Sequence, residues 1–221
     1  MVNRLPVLFI AYQFPPQGGP GVHRSVRFVS HLRDNAFEPI VLTQDLESIH
    51  SGNYPLDESL MENLPAHLKI IRVNSNERIR RRNFLMKFRL YGLYRYLFYR
   101  KNGEPSLVWA EKSFEVALDI IKKENIKIVY TSSAPFSALL LAERLKREAK
   151  VKWIADLRDP WTDAFTWHWP SESHWKKNVL LEKELLNKAD RIIVVTSEMK
   201  KLFLNKGIGT EQKIDIIYNG Y

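Results

Sequence analysis

No cysteine occurs anywhere in the 221 residues. Disulfides, thiolate metal ligands and a cysteine nucleophile are therefore excluded, and a reducing compartment is compatible with the chain without being established by it. Long hydrophobic runs are missing as well, so no transmembrane helix is expected. The apolar stretch Leu5 to Ala11 follows Met1-Val-Asn-Arg4 without a small-residue cleavage site, and it reads as a first strand, not a signal peptide. Two phosphate-binding fingerprints are absent: there is no G-x-G-x-x-G and no Gly-Lys-Ser/Thr of a nucleotide-hydrolase loop. His168 has no partner at metal-ligand spacing, and no metal is expected. Internal repeats and low-complexity tracts are lacking too.

Basic charge is present, and it is local. Nine of the 34 Lys and Arg residues fall between Arg78 and Lys101 with no acid among them, which leaves the rest of the chain balanced at 25 basic to 25 acidic. Phe84, Leu85, Met86, Phe88, Tyr91, Tyr94 and Tyr99 are interleaved with these charges. Three readings compete for this stretch. A helix packed on a sheet would merely solvate its arginines. An interfacial helix would lie on an anionic membrane through Arg80, Arg81, Arg82, Phe84, Lys87, Phe88 and Arg89. Each basic residue there is worth about 1 kcal/mol, enough in sum for reversible binding. Stacking aromatics beside cations also suit single-stranded nucleic acid, but no recognisable motif accompanies them, so that partner is disfavoured. The expected location is cytoplasmic, peripheral on the inner face of the plasma membrane.

Apolar runs alternate with helical stripes along the chain. Strands are expected at 6–11, 38–43, 68–73, 127–131, 151–155, 189–196 and 213–218, with helices at 21–35, 110–125, about 133–150, 173–188 and 197–206. In the first helix Val22, Val26, Val29 and Leu32 share a face, while His23, Arg24, Arg27 and Ser30 fall on others. Residues 44–66 read as one long irregular loop. The fold class that follows is α/β: a doubly wound, Rossmann-like parallel sheet of about seven strands with helices on both faces.

Ligands collect outside the carboxyl ends of such strands, and the suspicious stretches all lie there. After the first strand comes Tyr12-Gln-Phe-Pro-Pro-Gln-Gly-Gly-Pro-Gly21, a bend leading into a helix. Glycines let a backbone approach an anion, and the helix N–H groups point towards it; a plain turn is the competing reading. After the fourth strand, Ser133 suits a helix N-cap and Pro135 a first turn. The fifth strand runs into Asp156-Leu-Arg-Asp-Pro-Trp161, where two carboxylates and a guanidinium are costly unless paired or used. Trp161, Phe165, Trp167 and Trp169 form either core or a stacking surface for a sugar ring or lipid. The stretch Thr196 to Glu198 closes the sixth strand, and the basic segment leaves the third.

Pro15-Pro-Gln-Gly-Gly-Pro-Gly-Val-His-Arg24, Thr131-Ser-Ser-Ala-Pro135, Ile154-Ala-Asp-Leu-Arg-Asp-Pro-Trp-Thr162, Ala189-Asp-Arg-Ile-Ile-Val-Val-Thr196 and Ile217-Tyr-Asn-Gly220 stand in a telling order. Together they resemble the bacterial family 4 glycosyltransferases of the GT-B type, over nearly the full length. The resemblance implies two facing Rossmann-like domains, the first binding acceptor and the second most of the nucleotide-sugar donor. Residues 1–217 would be the acceptor domain, with the basic insertion at about 78–101, and 218–221 the start of the linker to a donor domain that the chain lacks. The implied reaction is transfer of a hexose-type sugar from a nucleotide-diphosphate sugar to a lipid-linked or polysaccharide acceptor, with retention and without metal. No cofactor is implied beyond the nucleotide sugar as co-substrate. Gly18, Gly19 and Gly21 would meet the diphosphate. Arg24, Ser133 and Trp161 would bind acceptor, and Asp156, Arg158 and Asp159 would be catalytic. Many relatives carry a histidine where this chain has Arg158 or its neighbour, which leaves open which of the three touches the acceptor. The chain alone would turn over no donor. The alternatives are a nucleotide-cofactor oxidoreductase on the same fold, disfavoured by the missing fingerprint, and a basic membrane- or nucleic-acid-binding module.

Overall fold

The computed structural model describes residues 4–51, 54–74, 106–164, 169 and 171–219. Among them, β1 (Leu5–Ala11), β2 (Phe37–Gln44), β3 (Lys69–Val73), β4 (Ile128–Ser133), β5 (Lys152–Leu157), β6 (Arg191–Val194) and β7 (Ile214–Ile216) form one sheet. The order is β3-β2-β1-β4-β5-β6-β7, and every neighbouring pair is parallel. The helices are α1 (Pro20–Asp34), α2 (Leu46–Ser51), α3 (Ser59–Glu62), α4 (Leu107–Lys123), α5 (Ser137–Ala149), α6 (Glu172–Lys188) and α7 (Ser197–Asn205).

Both faces of the sheet are covered, and β1 shows why its run is continuously apolar. Leu8 and Ile10 enter the core cluster that includes Trp109, Leu139 and Trp153, whereas Val7, Phe9 and Ala11 enter a second one with Phe14, Val29 and Tyr130. A two-residue side-chain period with two dry faces leaves no position for a polar residue. Each such buried side chain contributes about 1.5–3 kcal/mol, so the central strands hold the carboxyl edge rigid. In α1 the stripe Val22, Val26 and Val29 is buried as the periodicity predicts.

Two expectations are corrected. The stretch 44–66 is not wholly irregular. The Asp45 carboxylate accepts from the Ser48 amide at 2.8 Å at the start of α2, and Asp57 accepts from the Ser59 amide at 3.1 Å and hydroxyl at 2.6 Å at the start of α3. Helices of six and four residues are too short to show a periodic stripe. Ser133 is not a helix cap either. Strand β4 continues through it, pairing Ser132 with Asp156 and Ser133 with Leu157, and Phe136 takes the N-cap position of α5.

Candidate functional site

Strand order reverses between β1 and β4, and the crevice at such a point is where parallel α/β sheets bind ligands. Ala11, Ser132, Asp156 and Ile193 lie in one register row across the carboxyl edge. The bend after β1, the turn after β4 and the acid–guanidinium run after β5 therefore open side by side.

The bend is built rather than loose. Gln17 forms an antiparallel bridge with Leu56, and the Gly18 amide donates to the Pro55 carbonyl at 2.8 Å. The Asp57 amide donates to Pro16, and the Arg72 guanidinium to the carbonyls of Pro15 at 2.5 Å and Gln44 at 3.1 Å. Burial lowers the pKa of Arg72, with Asp45 and Glu58 opposing that shift. Gly19 sits at the N-cap of α1 with φ 106, a conformation open to glycine at little cost, and Pro20 follows in the first turn.

Arg24 and Asp156 form a buried ion pair. Asp156 is wholly inaccessible and Arg24 is 6% exposed. Nε donates to Oδ2 at 2.9 Å and Nη2 to Oδ1 at 2.7 Å, a two-pronged contact. Burial alone would lower the pKa of Arg24; the hydrogen bonds and charge of Asp156 outweigh it and raise the net value. The remaining nitrogen, Nη1, donates to the carbonyls of Ile217 at 2.9 Å and Tyr218 at 3.3 Å and to Asn219 Oδ1 at 3.1 Å. The guanidinium also lies over the Phe28 ring. Tyr130, buried beside this pair, has its phenol pKa pushed well above the ordinary value by burial and then by the negative charge of Asp156.

Arg158 occupies the mouth itself. Nη2 donates to the Ala134 carbonyl at 2.6 Å and to Gln13 Oε1 at 3.1 Å, and Nε to the Ser133 carbonyl at 3.3 Å. A Cβ added to Gly21 would come within 1.7 Å of Nη1, so the glycine leaves the space that the guanidinium fills. Burial lowers the pKa of Arg158, Asp156 and Asp159 offset this in part, and Arg24 adds to it. The cation nonetheless stays charged. Two guanidiniums, the positive end of α1 and one buried carboxylate thus share the crevice, while Asp159 stands exposed on its rim. This arrangement favours an anion in the mouth.

Residues 18–220 match the model of the glycosyl transferase 4-like domain. The chain belongs to that family. Among solved structures, it is 19% identical to a glycosyltransferase from Rickettsia africae, covering 99% of this chain and 44% of that one at a TM-score of 0.53. It is 14% identical to sucrose-phosphate synthase from Thermosynechococcus elongatus, covering 99% and 49% at 0.60. A UDP-GlcNAc 2-epimerase from Methanocaldococcus jannaschii is 12% identical, with 96% and 45% covered at 0.51. These likenesses establish the fold, one half of the GT-B type, and the chain spans less than half the length of each of these structures. No curated protein matches the chain.

Within this glycosyl transferase 4-like domain, the sequence-predicted residues separate into two groups. Gly19, Gly21, Arg158 and Asp159 meet at the mouth. Gly18 is buried with its amide committed to Pro55, and Ser133 is buried with its hydroxyl donating to the Asp156 carbonyl at 3.1 Å. Trp161 is a core residue, not a stacking surface: it is 5% exposed and stacks on Phe136 at 5.0 Å. Arg24 was expected off the buried face of α1, and it is buried because its long side chain reaches the sheet edge where Asp156 needs a cation. Thr196 caps α7 by accepting from the Met199 amide at 3.1 Å. The membrane residues Arg80, Arg81, Arg82, Phe84, Lys87, Phe88 and Arg89 lie outside the described residues, as do Phe165, Trp167 and His168. No helix among the described residues is long and apolar enough to cross a membrane.

Sequence reasoning missed Gln13, Arg72, Glu182 and Lys206. Glu182, wholly buried in α6, accepts from the amides of Trp161 at 3.0 Å and Thr162 at 3.3 Å, from the Thr162 hydroxyl at 2.6 Å and from Lys206 Nζ. This clasp fixes the loop that follows Asp159.

Proposed function

We propose that the chain is the acceptor-binding half of a retaining, metal-independent glycosyltransferase that moves a sugar from a nucleotide-diphosphate sugar to a lipid-linked or saccharide acceptor. The observation that carries this reading is the Arg158 guanidinium lodged against Gly21 at the start of α1, with Asp159 on the rim beside it. In the transfer, the bond between the anomeric carbon and the diphosphate oxygen breaks, and its electron pair leaves with the diphosphate. The acceptor oxygen forms the new bond on the face from which the diphosphate departs and passes its proton to that departing oxygen. Arg158, the Gly19 and Gly21 amides and the α1 dipole stabilise the leaving negative charge, an effect worth about 2.7–4 kcal/mol per well-placed donor. Asp159 accepts hydrogen bonds from acceptor hydroxyls. Arg24 does not touch substrate in this reading; it holds Asp156 and the 217–219 segment in place.

A donor-binding half completes the enzyme, and the chain alone turns over no donor. The basic aromatic segment follows Asn74 in the chain, and its composition supports a peripheral attachment to an anionic membrane. Equilibrium binding of glycolipid and oligosaccharide acceptors to the purified chain tests the central reading. Acceptor binding weakened about tenfold by Asp159→Ala is expected. Failure to bind any acceptor, or sugar transfer by the chain alone, sinks it. Flotation with anionic but not neutral liposomes checks the membrane part.

A further inference from the structure

Arg72 reaches the glycine bend from a strand that does not border the mouth. It lies near the carboxyl end of β3, in register with Thr43 of β2, and β2 separates that strand from β1. The guanidinium crosses this distance: Nη1 donates to the Gln44 carbonyl at 3.1 Å and Nη2 to the Pro15 carbonyl at 2.5 Å. Among the described residues, none of its hydrogen bonds goes to a carboxylate. A half-buried cation set against main-chain carbonyls is a costly way to fill space. What the planar fork supplies in return is a fixed spacing between the end of β2 and the start of the bend.

Other ties meet on the same few residues. Gln44 Nε2 donates to Gln17 Oε1 at 2.7 Å, and both side chains are buried. Residues 55–57 run beside 16–18, with the Gly18 amide on Pro55 and the Asp57 amide on Pro16. A Cβ on Gly18 would come within 3.1 Å of the Asp57 Cβ, so this glycine serves the close approach of two chain segments. The segment continues into α3, where Leu60 packs with Val22 and Val26 of α1, and the Asn63 carbonyl accepts from the Ser30 hydroxyl at 2.9 Å. Bend and helix are thus tied to one strap, and Arg72 ties the bend to the sheet. We propose that Arg72 is a positioning residue for a diphosphate at the mouth: acting through the Pro15 carbonyl, it holds the bend so that the Gly19 amide and the start of α1 face the anion. The identity of the anion rests on the transfer reading above, whereas the tether itself does not.

Calorimetric titration of the whole chain with inorganic pyrophosphate tests it, together with the amide spectrum of the free chain. Arg72→Gln weakens pyrophosphate binding about tenfold and shifts the Gly19 amide resonance. Arg72→Lys does the same, because an ammonium on a flexible stem keeps the charge but not the fork that spans two carbonyls. Gly18→Ala, which presses on Asp57, weakens binding about threefold. Glu182→Gln lowers the melting temperature and leaves both readouts of the folded chain as in the parent; a merely structural Arg72 would behave like Glu182. Binding retained in Arg72→Lys would mean that Arg72 acts by charge, and it overturns the positioning role. Binding that depends on Arg158 and not on Arg72 overturns that role and leaves the transfer reading standing. A parent chain that binds no pyrophosphate overturns both.

Discussion

Asp156 and Glu182 are both wholly buried carboxylates, and each meets one cation, yet they serve opposite ends. Glu182 turns inward. Its oxygens take two backbone amides, a hydroxyl and Lys206, and all of these belong to the loop and helices that it clasps. Asp156 turns towards the crevice. Its partner Arg24 spends one edge on the carboxylate and the other on the main chain at 217–219. A buried carboxylate satisfied by amides is a fastening. One satisfied by a shared arginine is a joint, and it links the carboxyl edge of the sheet to the main chain at 217–219.

The largest effect that tests this contrast is on stability. Removing one partner of a buried pair leaves an uncompensated charge and costs about 3–5 kcal/mol, a large share of a typical total of about 5–15 kcal/mol. Glu182→Ala should therefore lower the urea midpoint sharply, as should Asp156→Ala. The two part company in the double variants. Arg24→Met with Asp156→Leu should recover most of the lost stability, because the pair is replaced by apolar groups of similar volume. Lys206→Met with Glu182→Leu should not, because the Trp161 and Thr162 amides stay unsatisfied. Equal recovery in both doubles would erase the distinction between fastening and joint.

These two carboxylates also mark where sequence reasoning succeeds and where it stops. Asp156 was legible: a charge at the end of a buried apolar run must be paired or used, and strand alternation put it on the carboxyl edge. Its partner was not legible. Periodicity assigns Arg24 to a polar face of α1, and nothing in local spacing shows that a guanidinium can bend back to a strand 132 residues away. Glu182 left a usable trace. It stands four residues after Asn178 and three before Leu185, on the buried stripe of α6, and a charge on such a stripe demands partners. The parallel sheet and its mouth followed from alternating elements alone. Trp161 failed because an aromatic-rich loop reads the same whether its rings pack inward or face a ligand.

A middle-sized effect concerns the mouth that the joint supports. Gly21→Ala adds a methyl group where Arg158 now lies, 1.7 Å from Nη1 and 2.6 Å from Gln13 Oε1. Alanine is also the better helix former by roughly 0.5–1 kcal/mol, so the chain should stay folded with a melting temperature close to the parent's. The guanidinium must move, and binding of inorganic pyrophosphate at the mouth should fall about tenfold, as far as in Arg158→Ala. The Arg158 Nε–H resonance should shift in Gly21→Ala and remain in place in Glu182→Gln. A mouth defect in the second variant would mean that the clasp and the crevice are one unit.

The smallest effect comes from a third carboxylate that solvent reaches. Asp190 is 24% exposed at its side chain, with Lys146 Nζ at 2.6 Å, Lys152 Nζ at 3.2 Å and the Trp153 amide at 2.8 Å. Burial pushes its carboxyl pKa up, but these three donors outweigh it and hold the value below the ordinary one. A carboxyl depressed in the folded state binds its proton more weakly there than in the unfolded chain, whose value is about 3.9. Its stabilisation is therefore fully present above that value and is lost as pH falls through the folded-state pKa. At neutral pH Asp190→Asn should cost about 1 kcal/mol, because solvent screens the lysines and only the amide bond is well protected. The parent and variant stability curves should converge in acid. If the loss at neutral pH instead matched that of Glu182→Ala, exposure would not be what grades these carboxylates, and the contrast between Asp156 and Glu182 would need a cause other than how their burial is satisfied.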